Sequence, residues 1–336
     1  MGVTVNRMMY DQLVRNTTSS GGGVRAQGLG KRFGDLWALR GVDLDAPAGA
    51  VLGLLGHNGA GKTTALRILT TLAAPTEGRA WVAGHDVTAA PGRVREAIGV
   101  AGQQATVDGL LTARANLEMV GRLYHLPPAE ARRRAGELLE RVELVDAATR
   151  LAKDLSGGMR RRLDLAAALV ADPPVIFLDE PTTGLDPHSR NELWTLLREH
   201  VRRGTTLILT TQYLEEADRL ADDIVVLDHG RVAAHGTPAA LKARLGGERV
   251  VVTLVDAGQL GAAREALATF AGGEPSIDAA AAQVVVPTRG GTRLVQIVRA
   301  LEAAGIDAHD VHRREVTLDD VFLSLTRGGA SAAEAA

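Results

Sequence analysis

The glycine-rich segment that ends at Lys62 and Thr63 is the part of the sequence best suited to chemistry. It reads Gly56-His57-Asn58-Gly59-Ala60-Gly61-Lys62-Thr63 and fits the pattern G-x-x-x-x-G-K-[ST]. A short apolar strand is predicted just before it, and a helix over residues 64–72 behind it. Consecutive backbone N–H groups in such a turn form a concave site for phosphate oxygens, and the helix N-terminus adds about half a positive charge. The segment therefore predicts a loop that holds the phosphates of a nucleotide.

The side chains of this loop have separate predicted roles. The glycines allow a close backbone approach, and Lys62 places a compact cation on the β- and γ-phosphates. The Thr63 hydroxyl is predicted to ligate Mg²⁺, and Thr64 follows it into the helix. His57 occupies an unconstrained position of the pattern and is interpreted as a loop residue rather than a titrating group. All positions from Gly56 to Thr64 are candidate nucleotide contacts.

Two adjacent acids, Asp179 and Glu180, follow the apolar run Val175-Ile176-Phe177-Leu178. Neighbouring residues of a strand point to opposite faces, so the two carboxylates are expected to have different roles. Asp179 can reach a metal ion, usually through water. Glu180 can face the γ-phosphate and accept a proton from the attacking water.

A third motif, Leu155-Ser156-Gly157-Gly158-Met159, stands at the start of a predicted helix. A serine and two glycines there expose a hydroxyl and backbone N–H groups, which suit an anion but also describe an ordinary helix cap. The order along the chain favours the anion site: phosphate loop, helical insert, this motif, and then the carboxylate strand.

Alternating strands and helices must position these motifs, and they predict an α/β core with a parallel sheet. Charged segments with apolar residues three and four apart indicate a helical subdomain at about 105–163 inserted in that core. The chain is predicted to begin with a flexible leader at 1–22, followed by a nucleotide-binding domain at 23–242. A small α+β domain at 243–326 and a disordered tail at 327–336 are predicted to follow.

The small C-terminal domain is predicted from strands that alternate with helices. The expected elements are strands at 250–254 and 284–286, helices at 260–270 and 292–303, a strand near Glu315-Val316 and a closing helix at 319–325. This domain contains no second nucleotide motif, so no chemistry is assigned to it.

Composition excludes several functional classes. The net charge of -2 gives no electrostatic argument for a nucleic-acid partner, and the lack of cysteine excludes disulfides and thiolate metal sites. The sequence has no apolar run of roughly 18 residues and no secretion signal at its start. If the protein acts at a membrane, it is expected to do so through a partner.

The chain resembles the ATP-binding-cassette (ABC) ATPases from Val24 to about Leu241, which implies a P-loop NTPase core of RecA-like type. More narrowly, it resembles the daunorubicin-resistance type of drug-exporter ATPase. The segments that carry this second resemblance are Ser156-Gly157-Gly158-Met159-Arg160-Arg161-Arg162-Leu163, Pro181-Thr182-Thr183-Gly184-Leu185-Asp186-Pro187, Thr210-Thr211-Gln212-Tyr213-Leu214-Glu215-Glu216-Ala217-Asp218 and Leu318-Asp319-Asp320-Val321-Phe322-Leu323.

The resemblance implies roles for further residues. Phe33 would stack on adenine, and Gln103, with Gln104 beside it, would contact Mg²⁺ and sense the transport partner. Ser156, Gly157 and Gly158 would contact the γ-phosphate held by a second copy of the chain. Asp186 would lie in the loop between the two sites.

One position departs from the family pattern. Most ABC ATPases carry a histidine where this chain has Gln212, and there it contacts the γ-phosphate. An amide can donate a hydrogen bond to phosphate but cannot become charged near neutral pH. With Lys62 and Glu180 intact, hydrolysis is expected to persist, and Gln212 is expected to position the phosphate rather than protonate it.

The function implied by the resemblance is ATP-driven export. Two copies would close head-to-tail over two ATP molecules, with Mg²⁺, and drive a separate membrane permease from the cytoplasmic face of the cell membrane. The expected cargo is a drug or antibiotic-like molecule, and lipids, polyketides and polysaccharides are the alternatives. A soluble ABC protein of translation or DNA repair, or an ATP-binding regulator without turnover, remains a less favoured interpretation.

Overall fold

A computed structural model describes residues 23–102, 106–244, 249–288 and 292–322. The chain forms two compact units, which divide between Val232 and Ala233. Gln103 and Gln104 lie outside the described residues, as do the predicted leader and tail.

The first unit contains two sheets. Their strands, in chain order, are β1 (Val24–Phe33), β2 (Leu36–Ala46), β3 (Val51–Leu55), β4 (Glu77–Val82), β5 (His85–Asp86), β6 (Ile98–Ala101), β7 (Val175–Asp179), β8 (Thr206–Thr211), β9 (Asp223–Asp228) and β10 (Arg231–Gly236). One sheet has the order β2-β1-β4-β5, and its neighbours pair antiparallel. The other has the order β10-β9-β3-β8-β7-β6.

The six-stranded sheet brings the motifs to one edge. Strands β6, β7, β8, β3 and β9 pair in parallel, and every residue of β3, β7 and β8 is buried. Such strands are apolar on both faces because helices and the second sheet cover them. Leu55 pairs with Thr211 and Asp179 pairs with Thr210, so the carboxyl ends of β3, β7 and β8 lie together. This is the edge at which open α/β sheets bind ligands.

Seven α-helices of the first unit connect these strands among the described residues. They are α1 (Lys62–Leu69), α2 (Pro91–Glu96), α3 (Ala113–Leu123), α4 (Pro128–Arg141), α5 (Gly157–Leu169), α6 (Pro187–Arg202) and α7 (Leu214–Leu220). Helices α3, α4 and α5 pack against one another. The starts of α3, α5 and α6 are capped by the side chains of Thr112, Ser156 and Asp186.

The core of the first unit lies around α1. Ala65 and Ile68 of this helix are fully buried with Leu39 of β2, Phe177 of β7 and Ile208 of β8. Helix α1 is therefore packed against both sheets, and the phosphate-loop motif at its N-terminus is built on a rigid element.

The second unit is an antiparallel sheet with helices, in the order β12-β13-β11-β14. Its elements are α8 (Pro238–Arg244), β11 (Arg249–Leu254), α9 (Leu260–Leu267), β12 (Ser276–Asp278), β13 (Gln283–Pro287), α10 (Leu294–Ala303) and β14 (Ala308–Arg314), followed by helical residues 318–322. Val252 and Val284 pack with Leu267, Ile297 and Leu301 in a separate core.

One predicted strand of this unit is present but lies slightly earlier in the chain. The strand expected near Glu315-Val316 lies earlier, at Ala308–Arg314, and both predicted residues follow it in the connection to the last helical turn. β14 is mostly polar, with the sequence AHDVHRR, so apolar content did not indicate it. Its backbone pairs with β11 nevertheless, because pairing requires main-chain groups and not apolar side chains.

Across the four described ranges, no helix combines the length and the apolar character needed to cross a membrane.

Candidate functional site

The phosphate-loop segment forms the tight connection between β3 and α1. Gly61 precedes α1 with φ of 110°, and a Cβ there would lie 2.6 Å from the Ala38 carbonyl oxygen. A Cβ on Gly56 would lie 2.5 Å from the Leu227 carbonyl oxygen. These contacts leave no room for a side chain at either position, so the two glycines are required by packing as well as by backbone conformation.

Lys62 lies inside the loop that it terminates. Its Nζ donates to the carbonyl oxygens of Gly56, at 2.7 Å, and of His57, at 3.2 Å, and the residue is only 5% exposed. Burial lowers the pKa of Lys62, while the charges of Glu180 and Asp179 oppose that shift. The ammonium is thus held next to the carboxylates by hydrogen bonds to the backbone.

A cavity of about 550 Å³ opens over this loop. Its lining residues come from β2, the loop, α1, α5 and the segment after β7, and they are Ala38, Asn58, Gly59, Gly61, Lys62, Thr63, Thr64, Arg161, Glu180 and Thr183. The predicted phosphate loop and the predicted general base therefore share one cavity.

Asp179 is the last residue of β7 and is only 7% exposed. Its Oδ1 accepts a hydrogen bond from the Thr210 hydroxyl and lies 3.5 Å from the Thr63 Oγ1. The sheet thus places one carboxylate and one hydroxyl side by side, and these are the hard oxygen donors that Mg²⁺ prefers.

Glu180 leaves the strand through a left-handed turn. Its φ is 51°, which is uncommon for a residue with a side chain and is found mostly at functional sites. Its backbone N–H donates to the Thr210 carbonyl at 3.1 Å, and its carboxylate accepts from the Thr183 hydroxyl at 3.4 Å. The turn directs Glu180 into the cavity beside Lys62.

Arg161 is a site residue that sequence reasoning did not single out. From α5, its guanidinium donates to the carbonyls of Asp179 at 3.0 Å, Glu180 at 2.9 Å and Pro181 at 2.9 Å, and also to that of Gly102. Burial lowers its pKa, and the charge of Asp164, 3.6 Å away, opposes that shift most strongly. The arginine-rich stretch after Met159 was the available signal, but three consecutive arginines do not reveal which one points inward.

Glu216 is a second residue that sequence reasoning missed. It is fully buried in α7, one turn after Gln212, and its Oε1 accepts a hydrogen bond from the Trp194 Nε1 at 3.3 Å. Burial raises the pKa of this carboxyl. An acidic residue in a polar helical segment is expected to be exposed, so the sequence around Glu216 did not indicate that it is buried.

The start of α5 is separate from the cavity. Ser156 is the N-cap, and its hydroxyl accepts from the Met159 N–H at 3.2 Å. Ser156 and Gly157 are exposed, and a Cβ at Gly157 would contact nothing within 4 Å. Of the residues that the structure describes, none from Ser156 to Gly158 lines the cavity over the phosphate loop.

The remaining predicted site residues lie at the surface. Phe33 ends β1 with 54% of its area exposed, under the Lys31 ammonium 5.1 Å from the ring centre. Asp186 caps α6, accepting from the Ser189 N–H at 3.0 Å and its hydroxyl at 2.7 Å, which lowers the pKa of Asp186 to about 2. Gln212 is exposed directly after β8. The roles assigned to these residues, and to Gln103, stay predictions.

Fold and site together define a P-loop ATPase. Residues 39–183 match the family described as ABC transporter. A daunorubicin resistance ATP-binding protein of Streptomyces coeruleorubidus, DrrA2, is 51% identical, with 90% of this chain and 94% of that protein covered. DrrA of Streptomyces peucetius, a daunorubicin/doxorubicin resistance ATP-binding protein, is 46% identical over 90% of this chain and 92% of its own length.

The chain therefore belongs to the ABC transporter ATP-binding proteins of the daunorubicin-resistance type. A solved dimer of the ATP-binding cassette MJ0796 with ADP and Pi matches with a TM-score of 0.60 and 29% identity, covering 64% of this chain and 98% of that one. The predicted family, P-loop fold and ATPase activity are confirmed by these matches.

Proposed function

We propose that this chain is the ATP-hydrolysing subunit of an exporter for a drug or antibiotic-like molecule. The proposal is supported by the names of its relatives, which refer to daunorubicin and doxorubicin resistance. A Nod factor export ATP-binding protein of Ralstonia nicotianae is 38% identical over 89% of this chain and 92% of its own length. Export of a lipid, polyketide or polysaccharide is the alternative. The observation that carries the mechanism is the shared cavity of Lys62 and Glu180.

Each of the predicted site residues has a proposed role. Lys62 neutralises charge on the β- and γ-phosphates, and free N–H groups at the start of α1 bind phosphate oxygens. Glu180 accepts the proton of the attacking water. Gln212, at the end of β8, donates a hydrogen bond to the γ-phosphate and holds it in line. Phe33 stacks on the adenine.

Mg²⁺ is the proposed metal, since the Thr63 hydroxyl and the Asp179 carboxylate stand 3.5 Å apart and both offer oxygen ligands. The ion would neutralise charge on the transferred phosphoryl group. Gln103 is proposed as a further ligand and as the contact that senses the transport partner.

The second half of the site is proposed to come from another copy of the chain. Ser156, Gly157 and Gly158 do not line the cavity of their own chain, and they expose a hydroxyl and N–H groups. In a head-to-tail dimer they would contact the γ-phosphate held by the partner, and Asp186 would lie near the junction. ATP would then stabilise only the closed dimer, and hydrolysis would release it.

Closure would act on a membrane permease through the helical subdomain at about 105–163. The chain would work peripherally at the cytoplasmic face of the membrane, with residues 23–242 as the nucleotide-binding domain. Residues 243–326 form a proposed α+β domain to which no reaction step is assigned.

The dimer is tested by replacing the general base. In Glu180→Gln, the amide cannot accept a proton, so hydrolysis should fall by about 10²- to 10⁴-fold while ATP binding persists. Size-exclusion chromatography with light scattering should then show a doubled mass with ATP and Mg²⁺. Glu137→Gln, at an exposed position of α4, is the matched control and should remain monomeric. A Glu180→Gln chain that binds ATP and stays monomeric would contradict the shared site.

A complementation experiment tests whether the phosphate loop and the Ser156 of one ATP site come from different chains. Lys62→Ala and Ser156→Ala are each expected to hydrolyse ATP more slowly than wild type, but a mixed dimer would contain one site with a normal loop and a normal Ser156. Mixing the two variants should therefore restore hydrolysis well above either alone. In the control, wild type is mixed with the double variant Lys62→Ala/Ser156→Ala. Each site of a mixed dimer then carries one defect, so hydrolysis should not exceed that of the wild-type dimers present. Failure of the first mixture to gain activity would disprove the exchange of Ser156 between chains.

A further inference from the structure

A cluster of three potential metal ligands lies beside the phosphate loop and takes no part in the proposed reaction. His57 belongs to the loop, Asp228 ends β9, and His229 follows it. The His57 Nε2 lies 3.1 Å from the Asp228 Oδ1, and the His229 Nε2 lies 3.8 Å from the same oxygen. One ligand atom from each residue lies within 4.8 Å of the other two.

The contacts of His57 direct its Nε2 toward Asp228. Its Nδ1 lies 2.7 Å from the Asn58 carbonyl oxygen, which can only accept, so Nδ1 carries a proton. In the neutral ring, Nε2 then presents a lone pair toward the Asp228 carboxylate, and two electron-rich atoms would face each other at 3.1 Å. Either a second proton on the ring or a metal ion between the two groups removes this repulsion.

The third residue favours the metal ion. A proton between His57 and Asp228 satisfies both groups and needs no further partner. His229 nevertheless brings a second imidazole nitrogen to the same carboxylate oxygen, and the two rings lie 5.1 Å apart between centroids. Two imidazoles and one carboxylate are a common ligand set for a zinc ion with one open position.

We propose that His57, Asp228 and His229 bind a zinc-class divalent cation, one that prefers imidazole ligands. Zinc–ligand bonds of about 2.0–2.1 Å in a tetrahedron place the ligand atoms about 3.3 Å apart. The separations of 3.1 and 3.8 Å bracket that value. His229 is 84% exposed, so its ring can rotate by the small amount that closure requires.

The orientation of His57 matches this role. A metal-binding histidine usually donates its other ring N–H to a carbonyl or a carboxylate, which fixes the tautomer and directs the free nitrogen to the metal. The Asn58 carbonyl supplies that contact here. Mg²⁺ prefers the oxygen ligands of Thr63 and Asp179, so the two metals are not expected to compete for one site.

A cation at this cluster would tie the phosphate loop to the end of β9. His57 is the residue that follows Gly56 in the loop, and its backbone carbonyl accepts a hydrogen bond from the Lys62 ammonium. The site therefore offers metal control over the loop, which is distinct from the Mg²⁺ that accompanies ATP.

Calorimetric titration of Zn²⁺ into the full-length chain tests the proposal. Any affinity tag is removed, Mg²⁺ is present in excess, and Asp228→Asn and His229→Asn are the two test variants. Asparagine tolerates the left-handed backbone at His229, whose φ is 44°. His188→Ala is the matched control. His188 lies 3.2 Å from Glu192 on an exposed helix face, and among the described residues this pair belongs to no group of three potential metal ligands.

Wild type and His188→Ala should bind one Zn²⁺ with the same affinity, and each test variant should bind it at least about 10- to 100-fold more weakly. Co²⁺ should give a visible absorption band in the wild type that both test variants lose. Equal binding by wild type and His229→Asn would overturn the proposal, as would a loss of equal size in His188→Ala. ATP binding by the variants is measured in parallel, and its retention shows that the loop is still folded.

Discussion

The starts of α1 and α5 are both glycine-containing helix N-termini, yet they are built differently. At α1 the preceding residue is Gly61, and no side chain accepts from the first N–H groups. At α5 the Ser156 hydroxyl accepts from the Met159 N–H and so occupies one of the donors. The first terminus presents its donors directly to an anion, whereas the second is already capped by its own serine.

This difference fits the separate roles that we propose for the two termini. At α1, Lys62 adds a buried cation to the open donors, so the terminus can bind phosphate within one chain. At α5, the Ser156 oxygen accepts from the Met159 N–H, and its own O–H would donate to a phosphate oxygen in the proposed dimer. The start of α1 therefore suits phosphate binding within one chain. The start of α5 suits a phosphate contact that would form only in the proposed dimer.

Substitution of Lys62, at the start of α1, should reduce activity the most. Lys62→Ala removes the buried cation next to Glu180 and Asp179, so ATP turnover should fall by about 100-fold or more. A steady-state phosphate-release assay measures it, and Lys153→Ala, at an exposed lysine, serves as the control. Turnover within a factor of two of wild type would show that the open donors of α1 suffice without the cation.

Two substitutions at Ser156 separate its proposed role in hydrolysis from its role as a helix cap. Both Ser156→Ala and Ser156→Gly remove the hydroxyl, so both should lose about tenfold or more in turnover. As a helix cap, alanine costs about 0.5–2 kcal/mol of stability but glycine only a few tenths. Urea unfolding should therefore distinguish the two variants, while hydrolysis should not. If turnover follows stability instead, the hydroxyl is only a cap, and the contrast between α1 and α5 loses its functional meaning.

Arg161 joins α5 to the end of β7, and its loss should weaken that connection. Arg161→Lys keeps the charge but cannot hold the carbonyls of Asp179, Glu180 and Pro181 together. Carbonyls left without a donor cost about 1–3 kcal/mol, which urea unfolding would detect. Arg198→Lys, at an exposed position of α6, should change nothing. Equal stability of both variants would contradict a structural connection through Arg161.

The smallest effect concerns Asp186, a third helix start that is capped by its own side chain. Its folded pKa is about 2, below the ordinary 3.8, so the cap stabilises the fold above pH 3.8 and weakens as the pH falls toward 2. Asp186→Ala should have a slightly lower melting temperature than wild type at pH 7. That gap should close in melts between pH 4 and pH 2, and a gap that widens there would show that the charge is not stabilising.

Apolar strands and the phosphate loop could be predicted from the sequence, because local patterns determine both. The strand expected just before the phosphate loop is observed at Val51–Leu55, and the apolar run 175–178 forms a strand that extends by one residue to Asp179. The helix expected at 64–72 spans Lys62–Leu69 instead. It ends early because the backbone of Thr71 turns left-handed, with φ of 64°.

Long-range contacts of polar residues could not be predicted. The antiparallel sheet of β1, β2, β4 and β5 was not predicted, since its strands mix buried and exposed residues and its pairing joins distant segments. Arg161 and Glu216 likewise lie in polar stretches. Only the tertiary structure shows that Glu216 is buried and that the Arg161 side chain is just 11% exposed. The cluster of His57, Asp228 and His229 could not be predicted either, because it joins residues that are far apart along the chain.

The hydrogen bonds of Arg161 have a consequence for cooperativity. Its helix begins with the residues proposed to serve the partner's ATP, and its guanidinium holds the backbone carbonyl of Glu180, which serves the chain's own ATP. A displacement of α5 when one nucleotide leaves would therefore be transmitted to the base of the opposite reaction centre. We expect the two ATP molecules of a dimer to be consumed as a coupled pair, with a Hill coefficient above one that falls toward one in Arg161→Lys.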